Sequence, residues 1–254
     1  MDQNLLISLT VAGFIGAAAG YLGSIMVLRR MALVGDALSH VALPGMGIAL
    51  AFNWNPFLWA FMFLGAAVWI IWLLEGRTRI PTEALVGILF TVSLAIGILI
   101  TPELELIEAL FGDISGVSVF DGVMAVVLSV AVFVIGRRIY KGLILGTISE
   151  DLAVSSGVKL RKINLVFLIL VSVVVALGVK VVGTLLMGAL VIIAATAAKN
   201  LSRNLAGFSS LSTVFGLVSA PSGVYLAHIF ELPPGPIVVL ASSIIFLLSL
   251  LNKK

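Results

Sequence analysis

The chain has 254 residues, 61% of them hydrophobic and only 11% charged, with a formal net charge of +3 and no cysteine. Soluble domains are about 45–50% apolar and about 25% charged, so a water-soluble fold is excluded, and the missing cysteines exclude disulfides and thiolate metal sites. No dense basic run lies beside an aromatic series, which excludes a nucleic-acid partner.

A membrane helix needs roughly 20 apolar residues. The length therefore holds about eight or nine spans in one domain, 1–254, an all-α polytopic helical bundle solvated by membrane lipid. An ATPase or a soluble binding module has to be another chain. In chain order, the apolar segments are 5–28, 36–52, 57–74, 82–101, 120–136, 163–181, 183–198, 207–230 and 235–252. The opening residues Met1-Asp2-Gln3-Asn4 carry an acid and no base, and 5–28 is longer than a signal-peptide core, so it reads as the first span. Its glycines Gly13, Gly16, Gly20 and Gly23 line one side and read as a packing face. Asn55-Pro56 reads as a helix cap followed by a first-turn proline. Pro81 suits the start of the fourth span, and Thr101-Pro102 its end. The segment 183–198 is short, rich in small residues and nearly loopless, which leaves a full crossing and a re-entrant helix pair both open.

The connections sort by charge. Arg29-Arg30, Arg77 with Arg79, the 137–162 stretch, Lys199 with Arg203, and Lys253-Lys254 share one side. The 102–121 connection, with Glu103, Glu105, Glu108, Asp113 and Asp121, lies on the other, together with Glu231. Cytoplasmic loops are enriched in Lys and Arg, so the expected orientation is N-terminus out and C-terminus cytoplasmic. Lys180 falls on the wrong side for that rule, where a long side chain snorkels to the interface.

The chemistry concentrates in the second span. Asp36 and His40 are four residues apart and share a helix face. Carboxylate and imidazole both ligate zinc, manganese and iron, and ionisable groups inside a membrane mark function. The alternative is a structural Asp–His pair that fixes two helices together. Pro44 removes the amide that would bond the His40 carbonyl, so a kink or break of the helix is expected at Pro44-Gly45, as in transporters whose broken helices bind substrate. Two ligands do not complete a site; a second copy about a two-fold axis would double them. His228, three residues before Glu231, is a candidate outer-mouth contact or an ordinary interfacial histidine. Between the fifth and sixth spans, Ser149 reads as an N-cap, Glu150 and Asp151 suit the positive end of a helix, and Gly157 suits its stop. This predicts a cytoplasmic helix of about two turns over 149–157, including Ala153, placed to be gripped by a partner.

Nearly the whole chain resembles the zinc/manganese/iron class of ATP-binding-cassette permeases. The resemblance is strongest at Arg30-Met31-Ala32-Leu33-Val34-Gly35-Asp36-Ala37-Leu38-Ser39-His40-Val41-Ala42-Leu43-Pro44-Gly45. It is supported by Phe111-Gly112-Asp113-Ile114, the Glu150-to-Gly157 loop, Val182-Gly183-Thr184-Leu185-Leu186, Ala194-Ala195-Thr196-Ala197 and Leu232-Pro233-Pro234-Gly235-Pro236. Pro234 departs from the small polar residue common in the family at that place. The resemblance implies a homodimeric permease in a prokaryotic inner membrane, with a cytoplasmic ATPase dimer and an extracytoplasmic metal-binding protein. It implies that Asp36 and His40 lie on the metal route, that the 149–157 helix couples to the ATPase, and that transport is inward. No permanently bound cofactor is expected: the divalent metal is cargo, and ATP is used by the partner. The alternating-access scheme that follows has the acidic 102–121 connection concentrating cations or meeting the binding protein at the outer mouth.

The chain carries neither a Walker-type glycine loop nor a HExxH motif, so no ATPase or zinc-protease activity is expected of it. An ion-coupled secondary transporter would want a carboxylate relay that the spans scarcely offer beyond Asp36. A permease for chelated iron or a vitamin would want a wide aromatic-lined cavity. The metal, zinc, manganese or ferrous iron, stays open at this level.

Overall fold

The computed structural model describes residues 3–78, 80–101, 110–111 and 118–251. The acids Glu103, Glu105, Glu108 and Asp113, the Gly112–Ile114 part of the supporting motif, Arg79, Lys253 and Lys254, and the side chains of Lys180, Val182, Leu185 and Leu186 lie outside that description.

Ten helices and no strand make up the described residues: α1 Gln3–Leu28, α2 Val34–Ala51, α3 Pro56–Glu75, α4 Thr82–Ile100, α5 Val119–Ile148, α6 Glu150–Ser155, α7 Leu160–Val182, α8 Thr184–Leu201, α9 Leu205–Phe230 and α10 Pro234–Leu251. Eight of them are long and apolar enough to cross a membrane, which makes the chain an integral membrane protein; α8 is described as an apolar helix only over Met187–Leu201. The all-helical result follows from the solvent: lipid offers no partner to a free backbone N–H or C=O.

The caps expected from sequence are formed. Asn55 Oδ1 accepts from the Leu58 N–H at 3.2 Å with Pro56 in the first turn. Ser118 and Asp121 form a reciprocal capping box on α5, so Asp121 serves that helix start. One boundary is corrected. The expected span 120–136 is the apolar part of a 30-residue helix that continues through Arg137, Arg138 and Lys141 to Ile148. At 1.5 Å per residue, α5 is about 45 Å long against an apolar layer of about 30 Å. Its charged end protrudes because arginine and lysine are good helix formers that prefer water.

α1 and α2 are the enclosed helices, with 72% and 78% of their span residues buried, against 22% in α4 and α5. α1 packs chiefly on α9, then on α5, α8 and α7, while α2 packs on α4, α3, α8 and α7. The glycines of α1 do what a packing face implies. A Cβ at Gly16 would strike the Gly216 carbonyl of α9, one at Gly216 would strike the Gly16 carbonyl, and one at Gly20 would strike the Ser212 carbonyl. Gly23 lies against the Val191 carbonyl of α8 in the same way, while Gly13 is in ordinary contact with Leu217 and Pro221 of α9.

Candidate metal site

α2 carries the site, and its position follows from how it is clamped. Gly45 meets the backbone carbonyl of Trp59 on α3, Gly47 meets the Thr101 hydroxyl, and Gly97 of α4 meets Leu43 and Pro44. These close approaches seat the least exposed helix of the bundle between α3 and α4. Of the kink or break expected at Pro44-Gly45, a break is not formed: α2 is one helix through Pro44 to Ala51. Losing one amide removes one hydrogen bond, and the clamping by α3 and α4 holds the helix through that gap.

The irregular backbone lies one helix away. Gly183 alone separates α7 from α8, with φ 85, a left-handed conformation that suits glycine. The Ser39 hydroxyl of α2 lies 2.6 Å from the carbonyl of Thr184, the first residue of α8, and also within reach of the Asp36 carbonyl at 2.7 Å. Val191, further along α8, packs on Gly23 and Gly35. α7 and α8 thus meet at a single residue packed against α2. The backbone of the turn is held at two points: Gly183 N–H bonds to the Val179 carbonyl at 2.9 Å, and the Ser39 hydroxyl donates to the Thr184 carbonyl.

Asp36 and His40 flank Ser39 on the same helix. Asp36 is half-buried, and its Cβ lies against Gly188 of α8; a Cβ on Gly188 would come within 2.7 Å of Asp36 Oδ1. His40 is 5% exposed. Its ring lies 5.2 Å from that of Phe90 on α4, tilted by 60°, and its buried Nδ1 has no hydrogen-bond partner. Buried polar nitrogens are normally satisfied, so this atom is chemically available.

A cleft of about 200 Å³ opens beside Asp36 and is lined also by Ala37, Glu83, Gly87 and Phe90. Glu83 lines this cleft, and nothing in its own segment singled it out in the sequence. As an acid in the first turn of α4 it reads as a complement to the helix dipole. The available signal was topological, because α2 and α4 both start from the basic end of the bundle, which brings their first turns to one level. No group of three or more His, Asp or Glu side chains among the described residues converges on one metal position.

The other expected residues are placed as follows. His228 and Glu231 are both exposed at the end of α9, where Glu231 is a left-handed C-cap with φ 51, and no further described ligand joins them. The helix expected over 149–157 is α6. Ser149 Oγ accepts from the Leu152 N–H at 3.2 Å, Glu150 and Asp151 fill the first turn, and Gly157 stops the helix with φ 78. Ala153 is fully buried, while Ile148, Leu152 and Val154 are exposed beyond the end of α5.

This architecture has close counterparts. Over 255 residues, covering 99% of this chain and 90% of the relative, it is 31% identical to the manganese transport system membrane protein MntC of Listeria innocua. It is 29% identical to the high-affinity zinc uptake system membrane protein ZnuB of Haemophilus influenzae, covering 92% of this chain and 91% of the relative. The solved PsaBC of Streptococcus pneumoniae superposes with a TM-score of 0.84 at 28% identity, covering 98% of this chain and 91% of that one. The ABC 3 transport family model matches residues 1–253. With a bundle, an enclosed Asp–His helix and a near full-length family match all agreeing, the chain belongs to the ABC 3 transport family.

Proposed function

We propose that this chain is the permease of an ATP-binding-cassette importer that moves a divalent transition metal, manganese or zinc, into the cytoplasm by alternating access. The observation that carries the reading is the buried, unpartnered His40 Nδ1 one helical turn from the Asp36 carboxylate, on the most enclosed helix. The relatives described as manganese and zinc transport proteins support the same cargo. Glu83 is added to the route because it shares the Asp36 cleft.

One copy offers two carboxylates and one imidazole. Glu83 is exposed, and an ionised group facing lipid is costly. A second copy of the chain related by a two-fold axis would cover this face and double the donors, giving an oxygen-rich set. Such a set favours manganese, and the imidazoles keep zinc as the second cargo. α6 is the contact for a cytoplasmic ATPase dimer: its N-cap and buried Ala153 fix it, and exposed Leu152 and Val154 present apolar tips. An extracytoplasmic metal-binding protein delivers the ion at the opposite end, where His228 and Glu231 stand. The basic end is cytoplasmic by the distribution of Lys and Arg, and the membrane is the inner membrane of a prokaryotic cell.

The test is metal uptake into vesicles holding the complete complex. Asp36→Ala and His40→Ala should each reduce manganese and zinc uptake at least tenfold. Undiminished uptake in both variants would falsify the assignment.

A further inference from the structure

A second polar cleft, of about 280 Å³, lies at the basic end of the bundle, and its charges are arranged in a way the metal site does not need. It is lined by Arg29, Glu75, Glu150, Arg161 and Asn164. Arg29 opens the turn between α1 and α2, Glu75 ends α3, Glu150 begins α6, and Arg161 and Asn164 lie in the first turns of α7.

Three of the four charges, Arg29, Arg161 and Glu75, are held by something other than an opposite charge. Arg29 Nη2 donates to Asn164 Oδ1 at 2.9 Å, and its guanidinium lies 5.4 Å from the centre of the Phe167 ring. The Arg161 guanidinium lies 4.2 Å from the centre of the Trp72 ring. Glu75 Oε1 accepts from the Thr82 hydroxyl at 2.5 Å, and Glu75 Oε2 is buried with no hydrogen-bond partner. A buried, unsatisfied carboxylate oxygen beside two guanidinium groups is an unfavourable state that closer approach would relieve. Burial lowers the Arg29 pKa, and the fields of Glu75 and then Glu150 oppose that shift, so the guanidinium already feels both acids across the cleft.

The cleft joins two units. One is α6, with the end of α5 and the start of α7. The other is the α1–α2 turn, which is short and tight: Arg30 takes φ 60, the Met31 N–H bonds to the Met26 carbonyl at 2.8 Å, and the Val34 N–H bonds to the Met31 carbonyl at 3.1 Å. A turn so closed has no slack, so displacement of Arg29 is displacement of the helix that carries Asp36.

We propose that this cleft is a charge latch. Its closure pairs Arg29 with Glu75 and Glu150, and Arg29 is the positioning residue through which motion of α6 reaches Asp36 and His40. The proposal rests on the reading of α6 as the ATPase contact.

The experiment uses the complete complex in proteoliposomes, with the metal-binding protein and manganese outside and ATP available to the ATPase. The readout is manganese imported per ATP hydrolysed. Arg29→Gln and Glu75→Gln should each lower that ratio about tenfold, with co-purification of the ATPase unchanged. Arg29→Lys should retain at least half of it. The double variant should be no worse than Arg29→Gln alone, because both changes break one device. An unchanged ratio in both glutamine variants, losses that multiply in the double, or a ratio that falls only as ATPase co-purification falls would each overturn the latch. Should the unaltered complex hydrolyse ATP and import neither manganese nor zinc, the cargo assignment fails by itself. The latch is then read from stimulation of ATP hydrolysis by the binding protein, which Arg29→Gln must abolish if the latch exists and leaves intact if it does not.

Discussion

At the scale of single residues, the proposed metal route depends on what surrounds Asp36 and His40 as much as on those two side chains. Gly188 leaves room for Asp36, and a methyl group there would drive into Asp36 Cβ and Oδ1. Gly188→Ala should therefore weaken manganese uptake about as strongly as loss of Asp36, with overpacking costing about 1–3 kcal/mol of stability; uptake and thermal unfolding in detergent check both. Glu83 is exposed, so Glu83→Gln should leave the melting temperature of the isolated chain unchanged while cutting uptake roughly tenfold, about 1.4 kcal/mol. An unaffected uptake rate would remove Glu83 from the metal route. Asp36 and His40 were legible in the sequence because ionisable groups four residues apart stand out in an apolar span. Glu83 and Gly188 were not, since each is ordinary in its own segment and acquires meaning only when α4 and α8 are laid against α2.

At the scale of helices, contact between backbones decides which positions tolerate change. Gly16 and Gly216 face each other carbonyl to Cα, with no flexible side chain able to yield. Gly216→Val should lower stability by roughly 1–3 kcal/mol, read as a lower melting temperature in detergent. Gly65 on α3 has open space where a Cβ would stand, so Gly65→Ala should leave the melting temperature unchanged or raise it. The spans were readable because lipid imposes helix on every crossing segment. The charged end of α5 was not, because apolar periodicity reports where a helix meets lipid and falls silent where the same helix meets water. Pro44 shows the same limit: proline marks a lost hydrogen bond, but whether the helix bends or parts there depends on neighbours that a single segment does not reveal. The boundary at Gly183 was legible, because the apolar segments 163–181 and 183–198 meet there with almost no loop.

At the scale of the whole molecule, the pairing of α7 with α8 bears on orientation. Whether the two cross fully or turn back within the bundle, a returning pair brings the chain to the side it left, so the two ends of the chain should lie on opposite faces of the membrane. With the basic end cytoplasmic, a fluorescent protein fused after Lys254 should fluoresce, and an export-dependent phosphatase fused at the same point should stay inactive. The opposite pattern would mean either that α8 does not return or that the orientation drawn from the charge distribution is wrong.

The overhang of α5 has a mechanical meaning. A flexible linker between lipid and α6 would dissipate a push from below, but Val119–Ile148 is one uninterrupted helix with α6 attached directly at its tip. Force applied there meets a rigid rod anchored among the other spans. If the rod pivots within the bilayer, its two ends swing in opposite directions, so that a pull on the tip is felt with reversed sense at Val119 on the far face. One stiff helix thereby supplies the geometrical inversion that opening on one side and closing on the other demands.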